Sequence, residues 1–323
     1  MTSATTAHER PSQKERAATA FVLLAALLWS TGGLGVKSVA LGSMALAGYR
    51  SLFAVPVLAL AALIELRARR LGPLAEVGRM LRRPWVWAAA VSYAVMVVSF
   101  VVAAKLTTAA NAILLQYSGP VYVALLSWPL LRERVRLIDG VATLGCLLGM
   151  TLFFVDKVSA EGRIGDLVAI LSSLGFAGVP LLMRLEQRAQ EAGGAIWTGA
   201  VASPLVAMTL GNLVACAVCA PSMVAARPSG AIAWSVVVFL GTVQIGAAYW
   251  LYGAAVGKLP ALRSTLLATI EPILNPLWVA LVRGERPTGW AVLGGAVIVA
   301  SVTLQAIFRA RVSAKAGARP SRA

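Results

Sequence analysis

Two ionisable side chains, Glu271 and Arg50, lie deep inside long apolar runs of the sequence. An ionised side chain at the centre of a bilayer costs about 2.5 to 3.5 kcal/mol on insertion scales, so each of these charges needs a specific purpose. Glu271 can bind a cationic group or a proton, or it can lock two helices together through Arg50 or through backbone groups freed by Pro272. Arg50 can hold a carboxylate through parallel N–H bonds, which favours an amino acid or organic acid as ligand, or it can reach the interface as a structural residue.

Polar and aromatic side chains recur at helical spacing near these charges. Asn275 and Trp278 follow Glu271 at i+4 and i+7, so the three residues share one helix face, on which Trp278 would stack on a bound ligand. Hydrogen bonding between helices is the alternative role for such side chains. The candidate cavity lining predicted from these patterns is Glu271, Arg50, Asn275, Trp278, Gln116, Gln244 and Tyr252.

Three prolines lie inside the same apolar runs, namely Pro120, Pro272 and Pro276. Each removes one helical hydrogen bond and exposes carbonyl groups, which is tolerated where the backbone faces a cavity or a polar neighbour. They are therefore candidate hinges, and a static kink that only shapes the packing is the alternative.

The rest of the sequence indicates a membrane rather than water as the solvent of this chain. Of its 323 residues, 59% are hydrophobic and 13% are charged, which is too little polar surface for a water-soluble globule of this size. A helix needs roughly 20 apolar residues to cross a bilayer, so the apolar runs predict ten spans with short loops. The predicted spans are residues 17–36, 43–65, 85–104, 108–130, 137–155, 166–185, 197–220, 233–256, 262–282 and 289–308.

Several function classes are disfavoured by the sequence. The net charge of +16 comes mainly from short loops and the two tails, which argues against nucleic-acid binding. Cys216 and Cys219 lie in an apolar run without a histidine nearby, so packing is favoured over a metal site. No phosphate-binding loop, histidine base or G-x-S-x-G motif occurs, so we expect no cofactor and no enzyme, with an intramembrane enzyme, a channel or a scaffold as alternatives.

The distribution of basic residues predicts the orientation of the chain. If the N-terminus is cytoplasmic, the inner loops and tails hold 21 of the 29 lysines and arginines and the outer loops hold seven. Cytoplasmic loops carry an excess of positive charge. We therefore expect cytoplasmic tails at residues 1–16 and 309–323.

An internal repeat divides the chain into two halves. Residues 114–134 align without gaps on residues 266–286, and Gly119 stands opposite Glu271, so the predicted site is not symmetric. The repeat gives five spans per half, in residues 17–155 and 156–308, and an odd number of spans forces the second half to enter the membrane from the opposite side. The recurring residues are Leu114, Leu115, Pro120, Leu125, Glu133 and Arg134.

The whole pattern over residues 17–308 resembles the EamA family of the drug/metabolite transporter superfamily. The residues that carry the resemblance are Trp29-Ser30, Tyr49-Arg50, Pro120, Pro272 and the Glu-Arg pairs that close spans 4 and 9. The resemblance implies two inverted five-helix repeats around a central cavity, with Trp29 added to the candidate binding residues. It also implies secondary transport of a small metabolite, an amino acid, organic acid or amphipathic drug-like solute. We expect efflux across the plasma membrane by alternating access, with the lipid bilayer as partner and proton coupling left open.

Overall fold

The computed structural model describes residues 13–68, 70, 72–131, 137–152, 155, 160–192, 202–256, 267–268 and 270–317. Within these ranges the regular secondary structure is helical, which confirms the predicted all-α class. Most of the N-terminal tail, the end of the C-terminal tail and the Glu133-Arg134 pair lie outside the described residues.

The helices follow the apolar runs of the sequence. In chain order they are α1 (Gln13–Ser30), α2 (Gly32–Ser38), α3 (Ser43–Ala68), α4 (Pro73–Leu81), α5 (Pro84–Leu106), α6 (Ala109–Gln116), α7 (Gly119–Leu131), α8 (Leu137–Leu152), α9 (Ala160–Ala192), α10 (Ala202–Ala225), α11 (Gly230–Phe239), α12 (Ala248–Val256), α13 (Ile270–Arg283) and α14 (Gly289–Gly317). A π-helical segment, Leu240–Ala247, joins α11 to α12.

In the part of the chain that the structure describes, six helical segments are long and apolar enough to cross a bilayer. They match predicted spans 1, 2, 3, 6, 7 and 8, so the chain is a multi-pass membrane protein. Two shorter apolar helices, Gly140–Gly149 and Gly289–Gln305, lie in predicted spans 5 and 10. The total of ten spans therefore stays a prediction. The six segments are Gln13–Ser38, Ser43–Ala68, Pro84–Leu106, Gly162–Ala192, Pro204–Ala225 and Gly230–Ala255.

Predicted span 4, residues 108–130, is divided into two helices close to Pro120, one of the prolines predicted to disrupt a helix. α6 ends at Gln116 and α7 begins at Gly119, so Tyr117 and Ser118 form the break. Ser118 Oγ donates to the Leu115 carbonyl at 2.6 Å and so satisfies one carbonyl of the interrupted turn. Pro120 is the second residue of α7, where its missing N–H is one that a helix start leaves unpaired anyway.

The other two candidate hinge prolines lie in α13. Pro272 is the third residue of this helix, and Pro276 lies in its interior, where the missing N–H removes a helical hydrogen bond. Pro120 lies in the first turn of α7, and its structural equivalence to Pro272 stays a prediction. Whether any of the three prolines acts as a hinge stays a prediction.

Equivalent helices of the two halves have equivalent packing partners. α1 packs against α12 and α13, and its counterpart α9 packs against α5 and the α6–α7 pair. The helices α3 and α10 pack against each other, as do α8 and α14. If each span is replaced by its counterpart in the other half, five spans along the chain, the same set of packed helix pairs results. A two-fold relation between the halves would produce this pattern.

One contact between equivalent residues marks the centre of this relation. Cys146 on α8 approaches the Ile298 carbonyl on α14, with Sγ and O 4.0 Å apart. These residues are 152 positions apart, the same offset as the sequence repeat. Under the predicted two-fold relation, equivalent residues that touch would lie beside the rotation axis, which would then pass between α8 and α14.

The Cys216 and Cys219 pair takes part in packing between α10 and α3. Cys216 Sγ donates to the Gly48 carbonyl at 3.5 Å, and Cys219 is fully buried in the main apolar core. All three cysteines are free. Among the described residues, no three His, Cys, Asp or Glu side chains lie close enough together to hold a metal ion.

Candidate functional site

A cavity of about 480 Å³ lies between the helices of the two halves, and both charges singled out in the sequence line it. Its wall is predominantly apolar and aromatic. Of the predicted binding residues, the structure brings together Arg50, Glu271, Trp29, Gln116, Gln244 and Tyr252. The remaining lining residues are Tyr93, Met96, Val97, Phe100, Tyr117, Gly119, Val123, Phe176, Ala177, Val179, Pro180, Met183, Pro204, Met208, Ile245, Tyr249 and Ala268.

Arg50, two turns after the start of α3, contributes a buried guanidinium group to this cavity. The residue is 5% exposed, and its Nη2 donates to Gln244 Oε1 at 2.8 Å. Its Cζ lies 5.8 Å from the ring centroid of Phe100, within the range of a cation–π contact. Within the described residues, Nε and Nη1 have no hydrogen-bond partner. The group therefore keeps donors available for an anion.

Glu271, the second residue of α13, faces the same cavity. Its Oε2 accepts a hydrogen bond of 2.7 Å from the Tyr117 hydroxyl, which lies at the break between α6 and α7. The same hydroxyl is 3.2 Å from the Ala268 carbonyl, and the Tyr117 ring stacks on Phe176 with centroids 6.1 Å apart. No ion pair joins Glu271 to Arg50 within the described residues, so the two charges are not locked to each other.

Aromatic rings form a continuous wall on one side of the cavity. The Trp29 ring centroid lies 5.0 Å from that of Tyr249 and 5.2 Å from that of Tyr252, and Tyr93 meets Tyr249 edge to face at 5.7 Å. Rings in these arrangements hold one another rigidly and present both apolar faces and polar tips. The wall can therefore accept an apolar or aromatic part of a bound molecule.

The two glutamines connect the cavity wall to the surrounding helices. Gln244, on the π-helical segment, accepts from Arg50 and donates through Nε2 to the Trp29 carbonyl at 3.2 Å. Gln116, the last residue of α6, donates through Nε2 to Ser172 Oγ on α9 at 2.9 Å. Gln244 thus orients the guanidinium, whereas Gln116 joins helices of different halves.

Two predicted binding residues lie on α13 but do not line the cavity. Asn275 is fully buried, and its side chain has no hydrogen-bond partner within the described residues. Trp278 donates through Nε1 to Ser30 Oγ at 3.0 Å and so packs α13 against α1. In this structure Trp278 is a contact between helices.

Several cavity residues were not singled out from the sequence, most notably Tyr117. In a continuous helix Tyr117 would point about 100° away from its neighbour Gln116. The break after Gln116 turns both side chains toward the cavity. The Gly119-Pro120 pair is a sequence signal for such a break, because Pro favours the first turn of a helix. No spacing rule indicated Tyr93, Phe100 or Tyr249.

Comparison with known proteins follows the same division into halves. The profile of the EamA-like transporter family matches residues 16–155 and again residues 163–306. The chain belongs to the EamA-like transporter family. This EamA protein is 28% identical over 282 residues to the uncharacterized transporter YwfM of Bacillus subtilis (strain 168), covering 84% of this chain and 88% of that protein. A solved crystal structure at 22% identity has the same fold, with a TM-score of 0.58 over 91% of this chain and 98% of the other.

The family confirms the resemblance drawn from the sequence and gives the general activity. Together with the membrane-crossing helices, it identifies the chain as a membrane transporter.

Proposed function

We propose that this EamA transporter exports a small amphipathic metabolite that bears a carboxylate, such as an amino acid or organic acid. The observation that carries the proposal is the Arg50 guanidinium. It is a buried cation that, within the described residues, has a neutral hydrogen-bond partner and an aromatic neighbour but no ion-pair partner. A buried charge without a counter-charge is costly, and a substrate carboxylate would supply that counter-charge.

The rest of the cavity supports an amphipathic substrate with an apolar part. Trp29, Tyr249 and Tyr252 offer ring faces to such a part, while Glu271 offers a carboxylate for an ammonium group or a proton. An amino acid with a large side chain would match all three features. The volume of about 480 Å³ is in the range of sites for small molecules.

Transport proceeds by alternating access in this proposal, through two inverted halves of five spans around the cavity. The packing of equivalent helices against each other and the 152-residue offset of the Cys146 and Ile298 contact support a two-fold relation. The sequence repeat supports five spans per half. The charge distribution supports cytoplasmic termini, and in this proposal the chain lies in the plasma membrane.

Fusions of a reporter that is active only in the cytoplasm test this topology. We expect activity from a fusion after Ala323 and from one in the loop at residues 70–72, because both lie in basic inner segments. A fusion after Arg227 should be inactive. Activity at residues 70–72 with none after Ala323 would mean an odd number of spans and would contradict the inverted five-plus-five arrangement.

Counterflow in proteoliposomes tests the substrate class. Vesicles loaded with one unlabelled amino acid or organic acid are placed in a trace of the labelled compound. We expect accumulation for amphipathic carboxylates and none for their methyl esters or amides, because an ester leaves Arg50 without an anion. Equal counterflow of acid and ester would contradict a carboxylate site. No counterflow of any small metabolite would favour a channel, scaffold or intramembrane enzyme instead.

A further inference from the structure

The cavity is closed at one end of the helix bundle, here named the lysine end because Lys37 and Lys105 lie there. The lining residues nearest this end by helix position are Arg50, Phe100 and Gln116, seven residues after the start of α3, six before the end of α5 and seven after the start of α6. At 1.5 Å per residue, about 9 to 10.5 Å of packed helix separates the cavity from the lysine end.

At the opposite end the cavity reaches almost to the helix termini. Pro204, which lines it, is the third residue of α10. α10 runs antiparallel to α3, since the Tyr49 hydroxyl near the start of α3 donates to the Met223 carbonyl near the end of α10 at 2.8 Å. The start of α10 therefore lies away from the lysine end, and the cavity extends toward that side.

Glu285 joins three helices of different halves at the lysine end. It follows α13, and its Oε2 forms an ion pair of 3.0 Å with Lys37 Nζ at the end of α2. Its Oε1 accepts a 2.6 Å hydrogen bond from the backbone N–H of Ala109, the first residue of α6. The carboxylate thus caps a helix N-terminus, where negative charge is favoured, while it neutralises a lysine.

The lysines extend this junction to further helices. Lys37 Nζ also donates to the Thr107 carbonyl at 2.8 Å, and Lys105 Nζ donates to the Val39 carbonyl at 2.6 Å. Thr107 Oγ1 in turn donates to Asp166 Oδ1 on α9 at 2.8 Å. Helices from predicted spans 1, 3, 4, 6 and 9 are therefore held together by one polar network around Glu285.

We propose that the Glu285 and Lys37 pair is the lock that keeps the transporter closed at the lysine end. Glu285 is the first residue of the Glu285-Arg286 pair that follows span 9. Neither residue of this pair lines the cavity. Opening this end would separate α13 from α2 and α6, and so would break both contacts of the Glu285 carboxylate. In the proposed orientation the lysine end faces outside, so the lock holds the cavity open to the cytoplasm.

A cysteine in the cavity reports whether the lysine end is open. Val97→Cys is introduced into a chain whose Cys146, Cys216 and Cys219 are replaced by alanine, and a membrane-impermeant thiol reagent is applied from each side of the vesicles. We expect slow labelling from the lysine end in this reference chain. Glu285→Gln or Lys37→Gln should accelerate it by about tenfold, because either change removes the ion pair that favours the closed state.

Matched variants separate a lock from general destabilisation. Glu76→Gln breaks the Glu76 and Arg79 ion pair on α4 by the same chemical change, and it should leave labelling unchanged. Lys37→Arg keeps the pair and should label at the rate of the reference chain. Rapid labelling of the reference chain from the lysine end would overturn the lock, as would unchanged labelling in monodisperse Glu285→Gln and Lys37→Gln variants.

Of the proposed function, the lock requires only alternating access. The lock and the proposed substrate can therefore fail separately. Counterflow on the same vesicles tests the transport proposal without reference to the lock. A chain that shows no counterflow of any carboxylate but gains outer labelling in Glu285→Gln loses the proposed substrate and keeps the lock. Full counterflow with unchanged labelling would keep the proposed substrate and exclude the lock.

Discussion

Arg50→Gln is expected to lower counterflow of a carboxylate substrate by about one hundred-fold at limiting concentration. Removing one partner of a buried, hydrogen-bonded charge pair costs about 2 to 5 kcal/mol, and glutamine supplies no positive charge to a substrate anion. The effect should appear mainly as a raised KM, because the carboxylate is held in the bound state. Initial counterflow rates over a range of substrate concentrations provide the measurement.

Arg50→Lys shows whether charge alone is sufficient. A lysine ammonium is a compact charge without the planar fork of arginine, so it cannot keep the Gln244 contact and also grip a carboxylate with the same geometry. We expect an intermediate loss of about tenfold. Arg82→Gln removes an exposed arginine by the same change and should transport like the parent. If both Arg50 variants, at normal membrane levels, also match the parent, Arg50 has no role in the site.

The fold was largely predictable from the sequence because a bilayer restricts the chain to a few solutions. Apolar runs of about 20 residues must be helical in lipid, and helices α3 and α5 match their predicted spans closely. The offset of 152 residues was visible because Pro120 and Pro272 recur with their neighbours. Pro120 predicted a disruption of span 4, but its position at Tyr117 and Ser118 was not predicted, because hydrophobicity is the same for one long helix and for two short ones.

The site was predictable only where a charge or a helical period marked it. Glu271 and Arg50 stood out because charges are rare in lipid, and both line the cavity. Helical spacing placed Trp278 on the face of Glu271, but it does not say which helix lies opposite that face. Trp278 meets Ser30 of α1 instead of the cavity. Contacts between distant segments, such as Glu285 with Lys37, have no signature in local spacing.

The hydrogen bonds around Glu271 can serve both an ionised and a protonated carboxyl group. When the group is ionised, the Tyr117 hydroxyl donates to Oε2 across 2.7 Å. When it is protonated, the carboxyl can donate to the Tyr117 oxygen, and the tyrosine proton can turn to the Ala268 carbonyl 3.2 Å away. One rotation of a hydroxyl thus satisfies either state, which suits a site that binds and releases a proton.

Glu271→Gln is therefore expected to abolish the dependence of transport on a pH gradient while substrate counterflow survives. Glutamine keeps the size of the side chain and a hydrogen bond to Tyr117 but cannot bind or release a proton in this range. Uptake driven by an imposed pH gradient should fall to the level seen without a gradient. Counterflow of an organic acid, which brings no ammonium group to Glu271 and needs no net proton movement, should stay within about twofold of the parent in the same vesicles.

Tyr117→Phe gives an independent check, because it leaves the carboxyl group but removes the hydroxyl that serves both of its states. We expect this variant to retain a pH response that is shifted along the pH axis, since Glu271 can still titrate but has lost a hydrogen-bond partner.

A purely structural role for Glu271 predicts a different outcome for Glu271→Gln. Glu271→Gln would then reduce the yield of monodisperse protein in detergent, and the remaining transport would follow the parental pH profile. Parental yield together with parental transport at every pH would exclude both roles, because neither the proton nor the hydrogen bond to Tyr117 would then matter to the cycle.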